Sequence, residues 1–175
     1  MFRGRKQGRS KHDDEKAGGE IFQGLREKIL TVDPAEVGLD RFSQDHKVWG
    51  ALLETGYPRG TATLVALTDG TTSLYLSTGG GVIGAGTNVR VAAATRAFLT
   101  AVENDLGLLT PDQGSEVPAE GRVFIRALTY QGRYSAEAAE ADLGYGRHPL
   151  SAVFHAGHGV ITELRIMDEA RQAGS

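Results

Sequence analysis

The chain has 175 residues, a length suited to one domain, with 40% apolar residues and a formal net charge of −3. That charge argues against a body that binds nucleic acid in bulk, and the absence of cysteine excludes disulfides, thiolate zinc sites, iron–sulfur ligation and a cysteine nucleophile. No apolar run approaches the ~20 residues of a membrane-spanning helix, and Met1 to Gly19 lacks the apolar stretch of a secretion signal, so a cytoplasmic protein is expected.

Residues 1–20 hold few apolar side chains, and Arg3, Arg5, Lys6, Arg9 and Lys11 precede Asp13, Asp14 and Glu15. Such a segment buries too little surface to offset ordering and reads as a disordered basic tail. The domain proper is expected over residues 21–172. A short helix is predicted around Ile21–Thr31, ended by Asp33-Pro34. A second is predicted from Arg41 to Thr55, capped by Asp40, with Phe42, His46, Trp49 and Leu53 on one face and Gly56 and Pro58 as its stop. Trp49, the one tryptophan, reads as a core residue, with an interface anchor as the second reading.

From Thr61 the period changes. Thr61–Thr68 and Thr72–Ser77, joined by Asp69-Gly70, form a predicted hairpin. A glycine-rich loop follows, then a helix from Asn88 to Leu106 with Val91, Thr95, Phe98, Val102 and Leu106 as its inner stripe. After a Pro-containing linker over 108–121, Val123–Tyr130 reads as a strand with a return over Arg133–Ala141. The alanine and glutamate of that return suit a helix as well as a strand. Pro149–Arg171 reads as one helix, with Leu150, Val153, Phe154, Gly157, Val160, Ile161 and Leu164 recurring at helical spacing. Gly157 on that apolar face signals close packing.

The two halves share an order of hairpin, glycine-containing loop and helix. Setting the turn at Gly70 over that at Gly132 sets Gly84 over Gly146, Phe98 over Val160, Leu99 over Ile161 and Val102 over Leu164. This pseudo-repeat predicts an α+β fold: a four- to five-stranded antiparallel sheet built from two ββα units, with helices packed on it. The alternating order of helices and hairpins resembles the roadblock (dynein light chain) and profilin-like folds. It also resembles the type III secretion chaperone-like fold if Val82–Ala85 forms a short third strand. The stretch Val48-Trp-Gly-Ala-Leu-Leu-Glu-Thr-Gly-Tyr-Pro, with Thr61–Gly86 after it, resembles a bacterial family of unknown function. None of these resemblances carries over a functional residue.

Four groups of residues could carry chemistry. Gly79-Gly80-Gly81-Val82-Ile83-Gly84 matches a dinucleotide-loop pattern before a helix, so Gly79, Gly81, Gly84, Gly86 and Thr87 are candidate anion ligands. The strand before it belongs to a tight hairpin rather than a parallel βαβ unit. The plainer role of the glycines is a turn or a tight connection. His148, His155 and His158 are weak metal candidates without an obvious carboxylate partner, against a solvated helix face. The tail cations, Arg3, Arg5, Lys6, Arg9 and Lys11, suit contact with an anionic partner such as nucleic acid or a membrane surface, against a solvated tail. No hydrolase elbow, metalloprotease helix or spaced carboxylate pair stands out.

The expected function is therefore a non-enzymatic interaction domain, adaptor or chaperone-like and homodimeric, with no cofactor. The alternative is a sensor for a small anionic ligand at the glycine loop. Third comes an enzyme whose dispersed site local sequence does not reveal.

Overall fold

The computed structural model describes residues 11–174, with side chains from Gly18 onward. In chain order its elements are α1 (Lys11–Thr31), β1 (Val48–Tyr57), β2 (Gly60–Leu67), β3 (Thr72–Leu76), β4 (Gly81–Val82), α2 (Val89–Asn104), β5 (Thr110–Pro111), β6 (Arg122–Thr129), β7 (Gly132–Ala139), α3 (Glu140–Gly144) and α4 (Ser151–Ala173). Among the described residues there is one seven-stranded sheet of order β4-β3-β2-β1-β6-β7-β5, every neighbouring pair antiparallel. The α+β class stands. No helix among these residues is long and apolar enough to cross a membrane.

The sheet is wider than the four to five strands expected, chiefly because Val48–Tyr57 is a strand and not the end of a helix. Only Asp40–Phe42 of the predicted Arg41–Thr55 region makes a helical turn, of the 3-10 type. The physical reason is burial on both faces: nine of the ten residues of β1 are buried. A strand covered on both sides loses the apolar–polar alternation that identifies strands, and the remaining apolar residues fell at helical spacing by chance. Thr55 agrees with the strand, and Gly50 and Gly56 sit where a Cβ would strike Leu67 and the Ala119 carbonyl. Trp49 is buried, in a strand rather than a helix.

The helix α1 also begins earlier than expected. Lys11–Glu20, read as disordered, is helical, while Arg3, Arg5, Lys6 and Arg9 lie outside the described residues. The ambiguous return over Arg133–Ala141 resolves as β7 running directly into α3. The short strand expected at Val82–Ala85 is not found there: a two-residue strand at Gly81–Val82 pairs with Leu74 and Tyr75, and Ala85 begins a 3-10 turn.

The pseudo-repeat holds in three dimensions. The offset that sets Gly70 on Gly132 sets all of β2 on all of β6, and it sets Val89, the first residue of α2, on Ser151, the first of α4. The two strands share one burial pattern, position by position. They flank β1 on either side, so β1 joins the two halves into one sheet.

Helices α2 and α4 cover one face. Their buried stripes, Val91, Phe98 and Val102 on one and Val153, Val160 and Leu164 on the other, meet Ala51, Leu53, Leu64, Val123 and Ile125 of the sheet. Fully burying each such large aliphatic or aromatic side chain contributes ~1.5–3 kcal/mol. Thr95 lies within this stripe because its hydroxyl pairs with that of Thr72 at 2.8 Å. On the opposite face a smaller cluster, including Trp49, Leu52, Val65 and Leu128, packs beneath Leu30 of α1 and Leu39.

Gly157 lets α4 approach the sheet. A Cβ there would lie 2.6 Å from Leu53 Cδ2 and 3.2 Å from Phe98 Cε2, whereas one at Gly159, on the exposed side of the same helix, meets nothing within 4 Å. Helix propensity alone favours replacing either glycine with a larger residue. Here Gly157→Val should cost about 1–3 kcal/mol through overpacking, while Gly159→Ala should stabilise by up to about 1 kcal/mol. Urea unfolding of the two variants beside wild type reads the opposite signs.

Candidate functional site

The concentration of polar chemistry lies on the α1 face of the sheet. Glu54 stands at the centre of β1 with 0% exposure, Arg126 on β6 also has 0%, and Arg26 on α1 has 6%. Strand register brings the first two together. Glu54 pairs with Phe124, and Arg126, two residues on, lies on the same face of the neighbouring strand. On the other side Glu54 pairs with Thr63 of β2.

The Glu54 carboxylate accepts four hydrogen bonds. Arg26 Nε donates to Oε1 at 2.6 Å and its Nη2 to Oε2 at 3.0 Å. Arg126 Nε donates to Oε2 at 2.8 Å, and the Thr63 hydroxyl to Oε1 at 3.0 Å. A carboxylate taken out of water is tolerated only when paired and hydrogen-bonded in this way.

The same guanidinium groups hold the segment 110–117, which begins with β5, crosses this face and forms a strap. Arg26 donates to the carbonyls of Ser115 (2.6 Å) and Glu116 (2.8 Å). Arg126 donates to Glu116 O at 2.8 Å and pairs with Asp112. Arg133 of β7 reaches Gly114 O at 2.7 Å and the Leu30 carbonyl near the end of α1 at 2.8 Å. Burial lowers the pKa of Arg133 and Asp112 opposes that shift, while arginine remains charged under any ordinary condition. The strap shapes its own turn, with Asp112 Oδ1 accepting from the Gly114 amide at 2.7 Å. Phe124 stacks against Arg126, whose guanidinium carbon is 4.4 Å from the ring centroid.

Between α1, the strap and the β2–β3 end of the sheet lies an open cleft of about 800 Å³, lined by Phe22, Arg26, Thr61, Ser77, Val117 and Arg133 among others. Chemically the cluster is a charge-pairing device. Its carboxylate is already engaged by two guanidinium groups and a hydroxyl, so it binds and orients more readily than it transfers protons.

The residues singled out from the sequence lie elsewhere. Gly79 and Gly80 have positive φ at the turn from β3 to β4, and a Cβ on Gly81 would strike the Leu74 carbonyl. Gly86 packs its Cα against the Gly70 carbonyl, and Thr87 ends a 3-10 turn that Gly84 precedes. The first-turn amides of Arg90 and Val91 on α2 already donate to Asn88 Oδ1 at 3.0 and 3.2 Å. These glycines thus have sufficient reason in the chain's own packing.

His148 Nδ1 accepts from the Leu150 amide at 3.1 Å, and His155 Nε2 lies 3.1 Å from the Gly144 carbonyl. His158 packs on Phe154 with ring centroids 4.3 Å apart, its Nε2 buried without a hydrogen-bond partner. Burial lowers its pKa, nearby Glu140 opposes that and His155 reinforces it, so its ring is neutral at neutral pH. Among the described residues no group of three or more histidines, aspartates or glutamates is placed to hold a metal ion.

Set against protein-family models, curated proteins and solved structures, the chain matches none of them.

The cluster makes a direct statement about stability. Removing one member of a buried ion pair costs about 3–5 kcal/mol, so Glu54→Gln should destabilise the domain by roughly that amount. Glu137→Gln breaks the exposed Arg122–Glu137 pair, which is equally close at 2.9 Å, and should cost under about 1 kcal/mol. Chemical denaturation of the two variants measures the contrast.

Proposed function

We propose that this chain is a non-enzymatic protein-interaction domain of the adaptor or chaperone-like kind, and that it self-associates. The observation that carries the reading is an exposed apolar patch along the β3 side of the sheet. Ile21 of α1 is 63% exposed and Ile83, just past β4, is 64% exposed, and both line one hollow of about 200 Å³ together with Leu76. Leu76 also lines the adjoining hollow beside Tyr57, and both of these residues are exposed. Isolated exposed apolar residues are ordinary on protein surfaces. A run of large ones around adjoining hollows marks a place where another protein surface packs.

The sheet edge beside the patch supports this. β4 is two residues long, and short edge strands guard against unselective pairing, leaving side chains rather than backbone to select a partner. Recognition by side chains is the property that an adaptor needs.

Native mass spectrometry and light scattering of the full-length protein test the reading. Wild type should be a dimer, and Ile83→Asp should shift it toward monomer. The melting temperature of the separated monomer should change little, because an exposed substitution of this kind alters folding by under about 0.5 kcal/mol. A wild type that stays monomeric at every concentration and copurifies with no protein would overturn the proposal.

A further inference from the structure

The acceptors around Arg26 form a site that does not need Arg26 to exist. Both oxygens of Glu54 and the carbonyls of Ser115 and Glu116 converge on one guanidinium group, which is about 94% buried by residue and makes hydrogen bonds of 2.6, 3.0, 2.6 and 2.8 Å to them. Each acceptor is fixed by something other than α1. Glu54 is held by Arg126 and Thr63. The strap is held by Arg126 on Glu116 and Asp112, by Arg133 on Gly114, and by the pairing of β5 with β7.

Apart from the Arg26 bonds and the Arg133 bond to the Leu30 carbonyl, little holds the helix that delivers Arg26. Gly19 and Gly24 lie within it with room for a Cβ, and each costs up to about 1 kcal/mol of helix stability relative to alanine. From residue 18 onward only Phe22, Arg26 and Leu30 are buried on it, one narrow stripe at four-residue spacing. The cleft of about 800 Å³ runs beside that stripe, so the sheet face is incompletely covered.

We propose that Glu54, Ser115 and Glu116 form a receptor for an arginine side chain of a partner protein, filled in the free chain by its own Arg26, and that α1 is a displaceable cover over it. The arrangement selects guanidinium over ammonium. Its acceptors lie on both sides of a planar fork and receive Nε and both Nη groups, a geometry that the three donors of a lysine, radiating from one point, do not match. A partner arginine would replace the Arg26 bonds one for one, leaving no buried carboxylate unpaired during the exchange, because Arg126 stays on Glu54 throughout. The acceptors of the site, Glu54, Ser115 and Glu116, do not line the hollow of the apolar patch, although α1 contributes Ile21 and Phe22 to that hollow.

Hydrogen exchange of the full-length wild type, with methylguanidinium chloride as the probe and methylammonium chloride at equal concentration as the control, tests it. Amides of residues 18–30 should exchange at least about 100-fold faster than those of β1, as expected for a segment that opens below the global unfolding limit. Methylguanidinium should speed exchange in α1 further while leaving β1 unchanged, and methylammonium should do neither. In a second arm, methylguanidinium should raise the melting temperature of Arg26→Ala by several degrees over methylammonium, as a ligand that binds the folded state does. Protection of α1 equal to that of β1, acceleration of helix and sheet together, or no difference between the two cations would each overturn the proposal.

Discussion

One buried carboxylate organises the α1 face of this protein. Glu54 has no access to water, so its charge must be met by protein groups, and the groups that meet it come from distant parts of the chain. Arg26 is 28 residues before it and Arg126 is 72 residues after it. Satisfying this single side chain therefore fixes the position of α1 and the register of β6 against β1. Because the same arginines also hold the carbonyls of the strap, the path of 110–117 is set as well. An apolar residue at position 54 would pack as tightly but would not specify which helix or loop lies above it.

The two faces of the sheet work differently. Against α2 and α4 the contact is apolar and large, and the helices arise from two halves that superpose in sequence. Stability resides there. Against α1 and the strap the contact is narrower and depends on charge and hydrogen bonds, so it is specific in geometry and smaller in buried apolar area. Interaction functions draw on elements of this second kind, which can open while the rest of a domain stays folded. The exposed apolar residues Ile21, Leu76 and Ile83 lie at the margin of that same face, so both functional readings point to the α1 side of the molecule.

What the sequence disclosed follows from how local each feature is. The stripes of α2 and α4, the hairpin turns at Gly70 and Gly132 and the offset between the halves are periodic patterns, and the structure repeats them to within a residue or two. Gly157 signalled close packing because a glycine on an apolar stripe has few other uses, and Leu53 and Phe98 are the neighbours it makes room for. β1 looks helical in sequence because burial on both faces erases the alternation of a strand. The Glu54 cluster escaped because its members are joined only by the fold. A signal was present nonetheless: Glu54 interrupts the apolar run that begins at Val48, and Arg126 interrupts the apolar run Val123 to Leu128. A lone charge within a strand that is otherwise apolar needs a partner of opposite sign, and these two strands supply one each. The glycine loop stands out in sequence for the opposite reason, since its residue type is conspicuous while its surroundings give it turn and close-approach roles.

Arg26 and Glu54 act as a bonded pair that ties α1 to the sheet. A double-mutant cycle with Arg26→Met and Glu54→Gln, read by urea unfolding of the two single variants and the double variant, measures that tie directly. A bonded pair should couple strongly, with the double variant less destabilised than the sum of the singles by about 2–3 kcal/mol, the upper part of the range for contacting residues. Additivity within about 0.5 kcal/mol, the behaviour of independent sites, would contradict it.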